Sequence, residues 1–320
     1  AYASGAEESP LGELPIQYAD FAVWQREFLR GERLKAELAY WHAQLQGAPS
    51  TLALPFDRPR ERAPKLQRGA TYHFTVAPEL TAAARALSQR EGVTLFMTLL
   101  ASFQTLLHVY TSQDDFLLGA DVANRNRVET EGLIGFFVNM LVLRADLTGD
   151  PSFRDLLRRV RETTLDAYAH QDVPFEKLVE ELQPERDLSR NPLFQVVFVL
   201  QNTPMPALEL PGLTLEPVEL HNPVAKFDLI LSLREQGGGL DGTFMYSADL
   251  FDDATVARMA EHFTTLLAGV VADPDQSLSR LRLLGDEYTG GYTPADFPEA
   301  GLSQRDFEAL LMKLSDMPEA

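Results

Sequence analysis

The heptapeptide HQDVPFE, His170 to Glu176, sets an imidazole, a carboxamide and two carboxylates side by side. A histidine beside a carboxylate is raw material for general acid–base catalysis, because an unperturbed imidazole titrates near neutrality. The same residues also suit a corner between two helices. Asp172 can accept amide hydrogen bonds where a helix begins, and Pro174 fits the first turn. Glu176 falls in that turn, where the helix dipole favours negative charge by about 0.3–1 kcal/mol. His170 then stands near the C-terminus of the preceding helix. The corner accounts for every polar residue of the segment.

Other groups with chemical potential receive similar weight. In RDLSRNPLFQV, Arg186, Asp187, Arg190 and Asn191 precede an almost wholly apolar run. Arginine forks can satisfy carbonyls or Asp187 where a chain enters a core. Gly237, Gly239 and Gly242 satisfy G-x-G-x-x-G, but a strand-like TFMYSADL follows where a dinucleotide site needs a helix N-terminus. A hairpin turn is the expectation there. Histidines 42, 73, 108, 170, 221 and 262 make no helical metal pair, and there is no cysteine. No metal site is expected, and G-x-S-x-G is absent.

The elements that must position these groups follow from periodicity. Phe21 to Gln46 reads as one amphipathic helix, and Gly47 to Ala70, with four prolines, as an extended linker. Thr71–Val76 alternates as a strand. Pro78 opens a helix that Gly92 ends, and Thr94 caps a strongly apolar one. Phe116–Ala123 reads as a buried strand, NRNRVETEG as a polar loop, and the later part of IGFFVNMLVLRADL as a second buried strand. Asp150-Pro151 starts a helix to His170, and PFEKLVEEL forms another. LFQVVFVL, LTLEPVEL, FDLILSLRE and LDGTFMYSADL read as strands, and Asp253–Val271 as a closing helix. The fold class expected is α/β, a two-layer sandwich with a mixed sheet covered by helices.

Composition limits the partners. Lys and Arg number 28 against 47 Asp and Glu, a formal charge of −19. That sign opposes nucleic acid and anionic membrane surfaces. No run approaches the roughly 20 apolar residues of a membrane span, and the first residues do not read as a signal peptide. The absence of cysteine fits a cytoplasmic setting. The chain starts at Ala1 rather than Met, as a piece of a longer polypeptide would.

Four segments together are specific: YADFAVWQ (Tyr18, Asp20 and Trp24), IGFFVNMLVLR (Ile134 to Arg144), HQDVPFE (His170, Asp172) and RDLSRNPL. In order and spacing they resemble successive motifs of nonribosomal peptide synthetase condensation domains, over about residues 1–287. The resemblance implies a fold like chloramphenicol acetyltransferase, with two lobes and a tunnel between them. Carrier proteins, donor and acceptor, would present acyl or peptidyl and aminoacyl groups on 4'-phosphopantetheine arms, and the acceptor amine would attack the donor thioester. No cofactor would be bound covalently to this chain.

The family's key histidine lies in an HHxxxDG motif, and this sequence has no paired histidines. The resemblance therefore implies the C-terminal lobe, with no catalytic residue here and His170 not the base. It divides the chain into the last helix of the N-terminal lobe (1–46), an inter-lobe linker (47–70), the C-terminal lobe (71–287) and a tail (288–320). Partners implied are carrier proteins and the missing lobe or neighbouring synthetase domains. Candidates for the tunnel floor are Asp121, Asn124, Arg125, Gly135 and Asn139, while Met140 departs from the small or polar residue common there. IGFFVN favours condensation over epimerization domains. In the tail, Ser303 can cap a short helix carrying Phe307, Leu310, Leu311 and Leu314.

Overall fold

The computed structural model describes residues 12–60, 67–182, 190–201 and 224–281, all within one compact unit, Ala1–Leu281. The segment LTLEPVEL, Arg186, Asp187 and the tail helix lie outside the described residues.

Six strands form one mixed sheet in the order β1-β6-β5-β4-β2-β3. They are β1 (Gly69–Val76), β2 (Asp115–Val122), β3 (Asn139–Asp146), β4 (Val196–Gln201), β5 (Leu229–Gln236) and β6 (Gly239–Ser247). β2, β4 and β5 run parallel, and the other pairings are antiparallel.

Side chains alternate across a strand, so the register assigns every residue to a face. Phe116, Leu118, Leu143, Phe198, Leu231 and Phe244 share one face and are fully buried. Helices α3 (Pro78–Glu91), α4 (Leu95–Thr111), α6 (Phe153–Ala169) and α8 (Asp253–Ala272) form the covering layer. Phe103 of α4 meets Phe198 and Phe244, and Phe263 of α8 meets Phe74 edge-on. The opposite face carries Thr71, His73, Thr75, Ser232, Arg234 and Thr243, half-buried or exposed. The expected two-layer α/β sandwich is the observed one.

Local signals act as their chemistry requires. Gly92 ends α3 at φ 65°, a left-handed conformation that costs glycine little. Thr94 accepts a hydrogen bond from the Met97 amide and starts α4. Gly237 and Gly238, at φ 58° and 85°, make the two-residue turn between β5 and β6. The glycine triplet is therefore a hairpin, with Gly239 and Gly242 already in β6.

Several boundaries differ from expectation. The single helix Phe21–Gln46 is two, α1 (Tyr18–Phe28) and α2 (Gly31–Leu45). Gly31 takes φ 58°, which no continuous right-handed helix accommodates. The polar loop NRNRVETEG contains a one-turn helix, α5 (Val128–Glu131). Asp150 does not start α6: Ser152 caps it. Asp150 instead accepts hydrogen bonds from the Ser279 amide (2.9 Å) and hydroxyl (2.7 Å).

The linker is irregular, yet residues 47–60 are strapped to the sandwich. Leu52 and Leu54 are buried, and the Ala53 amide donates to Gln113 Oε1 at 2.7 Å. Asp57 accepts from the Asp252 amide (2.7 Å) and Thr255 hydroxyl (2.9 Å), satisfying the start of α8 from nearly 200 residues away. Arg60 forms a buried ion pair with Asp228.

Gly242 lies beneath the Phe74 ring, and a Cβ built on it would stand 2.3 Å from Phe74 Cζ. Gly242→Ala is expected to destabilise the chain by about 1–3 kcal/mol, as overpacking does. Urea unfolding should show a lower midpoint with an unchanged slope.

Candidate functional site

Asn139, the last residue of IGFFVN and the first of β3, uses its whole carboxamide. Its Nδ2 donates to the carbonyls of Gln171 (2.9 Å) and Val173 (2.8 Å). Its Oδ1 accepts from the Phe175 amide at 3.0 Å. Phe175 opens α7 (Phe175–Leu182), so Asn139 satisfies that helix start. Asp172 does not, contrary to expectation. Its carboxylate turns outward, with Asn126 Nδ2 at 3.4 Å and Arg33 at 4.0 Å. A short side chain near the turn was displaced by a buried amide from 36 residues upstream, whose three hydrogen bonds suit the low-dielectric interior better.

The His170–Glu176 corner carries the chain around the β3 edge. α6 packs on β3 and α4 in the helix layer, whereas Phe175 meets Phe194, whose ring lies over Gly119 on the opposite sheet face. His170 Nδ1 sits 2.6 Å from Glu37 Oε2, and Tyr40 stacks on the imidazole at 3.9 Å. Trp41 Nε1 donates to the His170 carbonyl at 3.2 Å. The imidazole thus binds α2 to the corner. Burial, and secondarily the Asp166 charge, push the Tyr40 phenol up to about 12. Among the described residues its hydroxyl has no hydrogen-bond partner.

The YADFAVWQ segment forms α1 and packs on the segment before β3. Phe21, Leu133 and Phe137 form a small core flanked by Ile16 and Trp24. Tyr18 donates to the Phe136 carbonyl at 2.9 Å, and its ring lies where a Cβ on Gly135 would be. Asp20 accepts from the Gln17 amide at 2.8 Å, closing the start of α1. Arg125 donates to the carbonyls of Thr130 and Leu133 while its guanidinium covers the Phe137 ring at 4.2 Å. Arg127 lies on Trp24 in the same way, at 4.1 Å. Asn124 is buried at φ 50°, a conformation asparagine tolerates better than most residues.

In RNPL, Asn191 donates to the Lys226 carbonyl and Arg190 acts electrostatically on Asp228. Gln195, and Arg144 at the end of the IGFFVNMLVLR segment, carry structural weight that the sequence reading did not assign them. Gln195 ties the strap through Leu52 N (3.2 Å) and Ser50 O (3.1 Å). Arg144 binds Asp115 bidentately (2.8 and 2.6 Å) and holds the end of α2 through the Gln44 and Gln46 carbonyls, both at 3.1 Å. A signal existed for Gln195 and Glu37. Each is a polar residue within an apolar pattern, Gln195 in LFQVVF and Glu37 on the Leu34–Trp41–Leu45 stripe.

Of the floor candidates, then, Asn124, Arg125, Gly135 and Asn139 are engaged in packing and hydrogen bonding. Asp121 stands apart. It pairs in register with Met140, and both point to the face that the helix layer leaves uncovered. A hollow of about 500 Å³ lies across that face, lined by His73, Thr75, Ser232, Arg234, Asp241 and Thr243. His73 Nδ1 is 3.2 Å from the Thr243 hydroxyl. Hydroxyls, an imidazole and charges of both signs suit a polar, amide-bearing ligand.

A family model described as "Condensation domain" matches residues 1–290. A linear gramicidin synthase polypeptide of Brevibacillus parabrevis is 54% identical over 286 residues, 89% of this chain and 4% of that protein. Among solved structures, the X-domain from teicoplanin biosynthesis superposes with a TM-score of 0.78 at 30% identity, over 88% of this chain and 65% of that one. The four-domain nonribosomal peptide synthetase AB3403 superposes with a TM-score of 0.71 at 25% identity, over 78% of this chain and 20% of that one. The chain thus spans a small part of the synthetase and just under two thirds of the X-domain.

Two outcomes follow from the corner. Asn139→Asp replaces a double donor with an acceptor facing two carbonyls, and should cost about 2–4 kcal/mol, more than the loss of a single buried hydrogen bond. Urea unfolding measures this, and exchange of the Phe175 amide should quicken. Tyr40 ionises near 10 when unfolded and near 12 when folded, so its share of stability is whole below pH 10 and is lost as pH rises towards 12. Tyr40→Phe should remove that part of the alkaline loss while leaving stability at pH 7 equal or higher, as read by thermal unfolding across pH.

Proposed function

The chain belongs to the condensation-domain family, and from that premise we propose that it supplies the C-terminal, acceptor-side lobe of an amide-forming site. A donor acyl or peptidyl thioester and an acceptor aminoacyl thioester meet there, each carried on the phosphopantetheine arm of a carrier protein. The acceptor nitrogen attacks the donor thioester carbon. The C–N bond forms, the C–S bond breaks, and the proton shed by nitrogen ends on the departing thiol.

The observation that carries this proposal is the polar, hollowed part of the opposite sheet face at β5, β6 and β1, together with the IGFFVN and HQDVPFE segments at the β3 edge. Ser232, Thr243 and Thr75 can donate to and accept from the amides and hydroxyl of an arm. The residues of this lobe bind and orient, while proton handling falls to a paired-histidine lobe outside them. Met140 sits beside Asp121 at the end of that face. Its flexible thioether makes the wall there apolar.

A second reading, that the chain is a carrier-docking or interaction module that works only with an N-terminal lobe from another chain, draws on the surface. Ile134 is 96% exposed, Val128 79% and Phe136 77%, and Val138 is half exposed. Ile134, Phe136 and Val138 alternate outward along one extended segment. An apolar ridge of this kind marks a face that another surface covers.

A single-turnover assay with two loaded carrier proteins separates the possibilities. The chain alone should form no amide, since a missing acid–base group removes roughly 10²–10⁴-fold in rate. Adding the paired-histidine lobe should restore product and shift the backbone resonances of residues 128–138. Robust condensation by the chain alone would falsify the one-lobe assignment. Restored binding without turnover would favour the docking module.

A further inference from the structure

Asp121 is placed by register at one end of a lateral row on the uncovered face. Gly119 pairs with Val197 and Ala120 with Phe198, and this register carried one residue further places Asp121 towards Val199. Val199 pairs with Ser232, Ser232 with Thr243, and Thr243 with His73. Neighbouring strands lie about 4.8 Å apart, so the four steps from Asp121 to His73 span roughly 19 Å. Apart from Val199, the row between the carboxylate and the imidazole presents hydroxyls, and its far half is the hollow.

The carboxylate of Asp121 is uncommitted. Among the described residues it makes no hydrogen bond and no ion pair, whereas Asp115, Asp57 and Asp228 are each engaged. Its side chain reaches solvent, yet the surrounding walls push its pKa up, with Lys226 exerting a weaker opposing pull. A carboxylate with no fixed partner is open to a cation that arrives with its ligand. The aromatic side of this end is closed by Phe194 over Gly119, and the β3 side by Met140.

We propose that Asp121 is a positioning residue that holds the α-ammonium of the acceptor aminoacyl group while its amide-bearing arm lies along the Ser232–Thr243–His73 row. This inference rests on the acceptor-side reading above and names the group that orients the incoming amine. The ammonium is what distinguishes an acceptor from a donor whose nitrogen is already acylated. A carboxylate at this end therefore selects the acceptor and fixes its nitrogen before deprotonation.

The test uses two probes on the chain, alanyl aminopantetheine, an amide-linked mimic of an acceptor thioester, and its N-acetyl derivative. Calorimetry should show the free amine bound about tenfold tighter, the worth of one charge-assisted hydrogen bond. The preference should grow as pH rises through the raised Asp121 pKa and fade above about 8, where an α-amino group loses its proton. Asp121→Asn should abolish the preference without lowering the melting temperature, and Asp121→Glu should restore part of it. If the two probes bind the wild type equally, or the Asn variant keeps the preference, Asp121 does not read the ammonium although the face still takes the arm. If neither probe binds, the acceptor-side reading falls with it.

Discussion

The three hydrogen bonds of the Asn139 carboxamide hold together a place where the chain must change sides. A two-layer sandwich has its helices on one face, and any segment that reaches the other must pass an edge. Here the passage is the short corner between α6 and α7, and its backbone groups cannot all pair with each other. Asn139 supplies two donors and an acceptor at one point, which a carboxylate or an aliphatic side chain of the same size cannot do. Phe175 can then meet Phe194, and Phe194 can lie on Gly119. The shape of the uncovered face at β2 is a consequence of this amide.

The other motifs reinforce that place from outside. α2 reaches the corner through Glu37, Tyr40 and Trp41, all directed at His170, and its end is held by Arg144. α1 reaches the segment before β3 through Tyr18 and the Phe21 cluster. Segments far apart in sequence therefore share one job, the fixing of the β3 edge and of the two helices beside it. A histidine locked between a carboxylate and a tyrosine ring serves this job, and its polar neighbours serve helix ends.

Much of this was legible in one dimension. Alternation identified β1, β5 and β6, the glycine pair announced its hairpin, and Thr94 and Gly92 marked helix ends, because each depends on backbone geometry within a few residues. The break at Gly31 was masked by the apolar stripe that continues across it, and the start of α6 moved because Asp150 is engaged by Ser279, 129 residues later. Asp172 looked like a cap by local rules and lost to a distant amide. Local rules state what a residue can do, and competition from distant partners decides whether it does.

The amino-acid sequence alone determined the fold class, most element boundaries, the family and a formal charge of −19, since periodicity, turn chemistry and composition are properties of neighbours along a chain. Tertiary structure alone decided which motif residues face inward and that the Asp121 carboxylate makes no hydrogen bond or ion pair among the described residues. Those outcomes depend on register across six strands and on hydrogen-bond partners 36 to nearly 200 residues apart, and no short-range pattern carries that information.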